Sequence, residues 1–295
     1  MRVAFLGLGA IGAPMAAHLA KPSFELTVWN RTSAKARTFA SRHGSAVAAT
    51  PAEAVRGAEF IVTCLTSSAQ VHEVVTSADG ILAGIDGNAV LVDCTSGDPA
   101  TSREIAALIA NRGASFIDAP VSGGVKGAGA GTLTVMCGGD AAIIDRARPV
   151  LETFGKKIVR CGDVGAGDAV KAMNQALLAI HIWSTGECLA SLSRLGVEAR
   201  IALDVINGSS GRSNASENLF PERVLDRSFP RTFKLALLEK DIAIASRIAE
   251  DAHTPADFIQ LAARLFSEAR AIVGEDADHV EAVRVIEERA GVKVS

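Results

Sequence analysis

Three small groups of residues in this 295-residue chain have types and spacing suited to chemistry. The first is Gly7-Leu8-Gly9-Ala10-Ile11-Gly12, a G-x-G-x-x-G between a short apolar run and a stretch of helical character. The first glycine permits a tight turn, the second lets backbone approach a pyrophosphate, and the third lets a helix pack on a strand whose neighbouring helix N-terminus is electropositive. In that setting it reads as a dinucleotide cradle, although the same letters also make a tight turn with no ligand. The second group is Ser122-Gly123-Gly124, where one hydroxyl and two bare backbone N–H groups can converge on an anion such as a carboxylate; the plainer reading is a glycine-rich turn. The third is Lys171, Asn174 and Gln175, spaced i, i+3, i+4 and so on one face of a helix. A lysine set among apolar residues loses stabilisation of its charge and can exchange a proton nearer neutrality. A lysine reaching solvent from a helix start fits the same letters.

A fourth position bears on the cofactor. About 20 residues beyond the cradle, where an enzyme using NAD would carry Asp or Glu for the ribose diol, the chain has Asn30, Arg31 and Thr32. A guanidinium and a hydroxyl suit a 2′-phosphate and no carboxylate repels one, so NADP is expected in preference to NAD. The bland alternative for Arg31 is a solvated surface arginine.

The elements that must hold these residues follow from the apolar runs. Short β-rich runs at 2–6, 24–29, 58–65, 89–95, 114–121 and 131–139 alternate with helical stretches such as 33–42 and 99–112. That alternation predicts an α/β fold: a Rossmann-type, doubly wound, mainly parallel sheet with helices on both faces. After Gly162 the β-branched runs stop. A helix of about 30 residues, apolar all round and therefore expected to be buried between domains, begins near Ala166. Further helical stretches at 198–206, 233–250, 255–273 and 277–290 predict an all-α C-terminal domain. We place the nucleotide-binding domain at 1–162 and a helical substrate and oligomerisation domain at 163–295, with 207–218 as a long polar loop.

Composition excludes several classes. Thirty Lys+Arg against 33 Asp+Glu leave a net charge of −3, which argues against a nucleic-acid partner. Hydrophobic residues make up 48% of the chain and mean hydropathy is +0.26. No apolar run approaches the roughly 20 residues of a bilayer span, so no membrane partner is expected and the excess is assigned to a core. Five cysteines (Cys64, Cys94, Cys137, Cys161, Cys188) without a C-x-x-C pair are expected to be free, buried thiols, and the six histidines are isolated, so no metal site is expected. Residues 1–12 lack the features of a secretory signal, which points to a cytoplasmic protein.

With these residues placed, the chain resembles the β-hydroxyacid dehydrogenase family, and within it the 3-hydroxyisobutyrate dehydrogenases. The resemblance covers essentially the whole length in four ordered blocks: "GLGAIGAPMA", "DAPVSGGVKGAGAGTLTVMCGG" at 118–139, "GAGDAVKAMNQ" at 165–175 and "LLEKDIAIA" at 237–245. It implies that Lys171 is the general acid/base and that Asn174 orients substrate. Gln175 stands where many members have a second Asn, a departure that touches substrate geometry. Ser122, Gly123 and Gly124 would hold the carboxylate of a small anionic 3-hydroxy acid. Lys240 would lie against the cofactor, and Leu65, Thr66 and Ser96, at two strand ends, would line the nicotinamide ribose. Arg212, in "SSGRS", resembles the 3-hydroxyisobutyrate branch and is either a pocket residue or a loop arginine. The implied reaction is hydride transfer between such an acid and its semialdehyde, in a homodimer or homotetramer. Rival readings are a semialdehyde, glyoxylate or tartronate-semialdehyde reductase on the same scaffold, an imine reductase (disfavoured by Lys171), or a non-catalytic NADP-binding module.

Overall fold

The computed structural model describes Met1–Ser295 and divides into two compact units, Met1–Lys171 and Ala172–Ser295. In the first, the strands are β1 (Arg2–Leu6), β2 (Glu25–Trp29), β3 (Ala46–Val47), β4 (Phe60–Thr63), β5 (Val90–Asp93), β6 (Ser115–Asp118), β7 (Val121–Ser122), β8 (Leu133–Gly138) and β9 (Gly155–Gly162). They form one sheet in which β3-β2-β1-β4-β5-β6 are all parallel. This is the doubly wound order of a dinucleotide-binding sheet. Beyond β6 the sheet changes sense: β8 runs antiparallel to β6 and to β7, while β9 pairs parallel with β8.

The period of two along each strand builds both faces. Val3 and Phe5 join Val28, Val62 and Val92 under the helices carrying Met15, Leu19 and Phe39. The alternate residues Ala4, Leu6, Ile61 and Leu91 pack on the opposite face against Val71, Ile105 and Ile109. Each fully buried Leu, Ile or Phe contributes about 1.5–3 kcal/mol relative to exposure, so these two layers hold the helices against both faces of the sheet.

The six β-rich runs all form strands, mainly parallel as expected. β3 and β9 have no signal in the apolar pattern, and β7 is touched only by Val121 at the end of the run 114–121; β9 reads Gly-Lys-Lys-Ile-Val-Arg-Cys-Gly and is largely exposed, so its pairing with β8 and not burial makes it a strand.

The second unit is helical. One helix, Ala166–Arg194, starts in the first unit and continues into the second, followed by Ala199–Asn207, Leu235–Asp251, Asp257–Val273 and Val283–Ala290. Its core gathers Ile182, Trp183, Phe220, Leu238, Ile242, Phe266 and Val283. Three expectations are corrected. The long helix is not buried all round: Val170 is 45% and Leu177 55% exposed, because apolar residues recur on every face of it and neighbours cover only some. The polar loop is shorter than 207–218, since Ala215–Val224 form a π-helix. Ser213 and Ser216 exchange backbone-to-hydroxyl bonds of 2.9 and 3.1 Å at its start, and Leu219, Phe220 and Val224 anchor it in the core, so residues that look loop-like serve as a cap. Finally, the cysteines are free, but only Cys94 and Cys137 are fully buried; Cys64 and Cys161 are half-buried and Cys188 is exposed, since Cys188 falls on an uncovered side of the long helix. No helix is long and apolar enough to cross a membrane.

Candidate functional site

In the first unit, the residues singled out from the sequence collect at the carboxyl ends of parallel strands. Gly7–Gly12 join β1 to the helix Gly12–Leu19. Gly7 has a φ of +107°, and a Cβ on Gly12 would overlap the Gly7 carbonyl, so turn and helix close directly on each other. At Gly9 a Cβ would meet nothing within 4 Å, and Gly9 and Ala10 are exposed. A bare backbone facing open space beside a helix N-terminus is what a pyrophosphate requires. Leu8 is buried; Ile11 is half-buried and precedes the helix.

The end of β2 is tied to this loop. The Leu8 N–H donates to Asn30 Oδ1 at 2.9 Å, and Asn30 Nδ2 donates to the Thr32 carbonyl at 3.1 Å. The amide at the ribose-diol position thus spends its oxygen on the cradle. Arg31 and Thr32 are exposed beside it, and Thr32 precedes the helix Ser33–His43 without a side-chain cap, which leaves its hydroxyl for another partner. At the next strand ends, the half-buried Leu65 donates its N–H to Thr95 Oγ1 at 3.0 Å, the exposed Thr66 donates its own to Gln70 Oε1 at 3.4 Å, and Ser96 is half-buried. Ser122 ends β7, and Gly123 and Gly124, both exposed with positive φ, lead into the helix Gly124–Ala130.

Lys171 is 8% exposed, a lysine held out of water near the start of the long helix. In the second unit Gln175 is buried and Asn174 exposed, and Asn174 Nδ2 donates to Gln175 Oε1 at 3.3 Å. Gln175 Nε2 donates to Asp241 Oδ2 at 3.1 Å, while Asp241 Oδ1 faces Lys240 Nζ at 2.8 Å in an ion pair. Asp241 thereby joins Asn174, Gln175 and Lys240 into one polar chain. Arg212 stands apart, 61% exposed on the turn before the π-helix and 3.9 Å from Glu217.

Sequence reasoning missed the buried acids. Asp93 at the end of β5 accepts from Thr63 Oγ1 at 2.8 Å and from the Thr95 N–H at 3.0 Å; burial pushes its carboxyl up to about 6, against the pull of those hydrogen bonds. Asp118 and Asp168 are also raised by burial, and the neighbouring carboxylates raise Asp168 further. A charged residue closing an apolar run, as in "VLVD" and "FID", was the available signal. Burial likewise pushes the Cys64 and Cys137 thiols up to about 12 and raises Cys94, which removes them as nucleophiles.

Matches to known proteins extend over nearly the whole chain. Residues 2–162 match the NAD binding domain of 6-phosphogluconate dehydrogenase, and residues 165–286 match the NAD-binding domain of NADP-dependent 3-hydroxyisobutyrate dehydrogenase. The 2-(hydroxymethyl)glutarate dehydrogenase of Eubacterium barkeri is 32% identical over 295 residues, covering 100% of this chain and 98% of its own. The 3-hydroxyisobutyrate dehydrogenase of Pseudomonas aeruginosa is 36% identical over 272 residues, 90% of this chain and 91% of its own. Among solved structures, the 3-hydroxyisobutyrate dehydrogenase of Mycobacterium tuberculosis with L-serine superimposes with a TM-score of 0.89 at 33% identity, covering 97% of this chain and 98% of its own.

Proposed function

We propose that this chain, which belongs to the β-hydroxyacid dehydrogenase family and is a 3-hydroxyacid dehydrogenase, interconverts a short 3-hydroxy acid of the 3-hydroxyisobutyrate type and its semialdehyde with NADP in preference to NAD. The observation that carries the reading is Lys171: a lysine 8% exposed, on a helix whose first turn is fastened to the β6 end and to the loop after β5, in the sheet whose β1 carries the dinucleotide cradle at its own carboxyl end. When bound, the nicotinamide supplies hydride acceptance and donation. Ser122, Gly123 and Gly124 bind the substrate carboxylate through a hydroxyl and backbone N–H groups. Lys171 takes the proton of the substrate hydroxyl during oxidation and returns it during reduction. Asn174 orients that hydroxyl, with Gln175 bracing it from below and Lys240 set against the dinucleotide.

The open face of Gly9 supports the dinucleotide, and exposed Arg31 and Thr32 with no neighbouring carboxylate in Asn30-Arg31-Thr32 support the 2′-phosphate. Exposed apolar Leu195, Ile201 and Val205 support self-association as a homodimer or homotetramer.

The test is NADP⁺-dependent oxidation of a panel: 3-hydroxyisobutyrate, L-serine, glycerate, 4-hydroxybutyrate and 3-hydroxypropionate. 3-Hydroxyisobutyrate is expected to give the highest kcat/KM; a 4-hydroxy acid in first place refutes the substrate class, and glycerate in first place selects the tartronate-semialdehyde reductase reading instead. General acid–base assistance contributes about 10²–10⁴-fold, so Lys171→Ala should lose that much turnover while binding NADPH normally. Arg31→Ala should raise the KM for NADPH at least about tenfold, the worth of one charge-assisted hydrogen bond, and leave NADH unchanged; equal effects on both remove the 2′-phosphate assignment.

A further inference from the structure

The buried acids of the first unit do more than fill the sheet edge. Asp118, at the end of β6, is 0% exposed; its Oδ1 accepts the Gly165 N–H at 2.7 Å and its Oδ2 accepts the Asp168 N–H at 2.9 Å. A carboxylate from a distant strand therefore takes the place of a local cap, satisfying N–H groups that open the helix Ala166–Arg194. Asp168, 1% exposed on that helix, reaches the other way: its Oδ1 accepts the Gly97 N–H at 2.9 Å, and its Oδ2 accepts Ser102 Oγ at 2.6 Å. All four carboxylate oxygens have a donor: one from the helix itself, and the others from the turn before it, the loop after β5 and the helix Pro99–Ala110.

Glycines make this packing possible. A Cβ at Gly138 would overlap the Asp118 carboxylate, one at Gly167 would fall 2.8 Å from Asp118 Oδ2, and one at Gly97 would fall 3.0 Å from Asp168 Oδ2. Burying like charges so closely is costly, and nothing about the core requires it, since apolar side chains fill both faces of the sheet. What the arrangement secures is position. Lys171 lies three residues beyond Asp168, and Gly97 adjoins Ser96 on the loop after β5.

We propose that Asp118 and Asp168 are positioning residues for Lys171, Asp118 pinning the first turn of its helix to β6 and Asp168 locking that turn to the Ser96–Gly97 loop. The inference rests on Lys171 as the proton-transfer group. A displacement of about 1 Å in a reacting group costs about 10²-fold in rate. In Asp118→Asn, one oxygen becomes an NH₂ facing a backbone N–H, so the turn shifts without leaving an empty space. In Asp168→Asn the same conflict arises against Gly97 or Ser102.

A double-mutant cycle separates positioning from general damage. Asp118→Asn and Asp168→Asn are each made in the wild type and in Lys171→Ala, and kcat is measured with NADP⁺ and the fastest acid of the panel above, alongside NADPH affinity by fluorescence titration. The expected result is a kcat loss of about 10²-fold in the wild type, NADPH affinity within twofold, and no further loss in the Lys171→Ala background. Losses that multiply in both backgrounds, or variants with wild-type kcat, overturn the proposal. Should either Asn variant fail to fold, Ser102→Ala removes a single hydrogen bond from Asp168 and should lower kcat severalfold, again only when Lys171 is present; a loss in both backgrounds, or in neither, overturns it. Lys171→Ala with full turnover instead overturns the Lys171 assignment itself, and the positioning role falls with it.

Discussion

Gly9 and Gly12 share one motif, yet their surroundings demand opposite outcomes when each becomes alanine. At Gly12 a Cβ lands well inside 3.0 Å of the Gly7 carbonyl oxygen and 3.3 Å from the Cys64 Cβ. The turn is backbone and the Cys64 Cβ is fixed directly to the backbone after β4, so neither can step aside cheaply. Overpacking of this kind costs about 1–3 kcal/mol, and a unit the size of Met1–Lys171 loses about 2–4 °C of Tm per kcal/mol. Gly12→Ala should therefore melt about 2–12 °C lower. At Gly9 nothing lies within 4 Å and φ is not positive, so Gly9→Ala should melt at or slightly above the wild type, by the entropy removed from the unfolded chain. Its methyl group instead occupies the approach of the pyrophosphate. Losing one charge-assisted hydrogen bond there costs about 1.5–3 kcal/mol, or a weakening of roughly 10–150-fold. Differential scanning calorimetry without dinucleotide and NADPH fluorescence titration read the two effects separately. Wild-type NADPH affinity in Gly9→Ala would refute the reasoning, because the open face would then not be where the dinucleotide approaches.

Two further outcomes follow from burial. The Asp93 carboxyl stands at about 6 against an ordinary 3.8, so between those pH values the folded protein keeps a proton that the unfolded chain has released. Stability accordingly falls as pH rises through this window, by ~3 kcal/mol; Asp93→Asn keeps an acceptor for Thr63 and Thr95 and should gain about that much on the wild type between pH 4 and pH 7 in urea denaturation, whereas parallel pH profiles would show that Asp93 does not titrate there. Exposed Cys188 should be the one thiol modified rapidly by a disulfide reagent in the native protein, since burial raises the others. Cys188→Ser should abolish the fast phase, and a second thiol reacting at the same rate would refute the assignment.

The parts of the site built from contiguous residues were legible in the letters. Gly7, Gly9 and Gly12 declare their turn because each answers a local steric demand, and the 29-residue helix Ala166–Arg194 declares itself by a proline-free stretch rich in Ala and Leu. Arg31 and Thr32 are likewise readable as the end of a strand beside a phosphate cradle. The polar string before Phe220 misled because loop-forming and capping residues are the same types, and only the burial of Leu219, Phe220 and Val224 tells them apart.

What sequence alone determined, then, was the local chemistry: which residues can turn, cradle an anion or carry a proton, and the alternating order that makes a parallel sheet. Tertiary structure decided the pairings across long separations. That Asp118 would cap a helix 47 residues on through Gly165, that Asp168 would reach back 66 residues to Ser102, and that Asp241 would brace Gln175 across 66 residues depends on which strand ends and helices fold side by side. The physical reason is that a buried carboxylate is satisfied by whichever donors the packed backbone brings to it, and those donors are main-chain N–H groups and small hydroxyls that every sequence contains and none advertises.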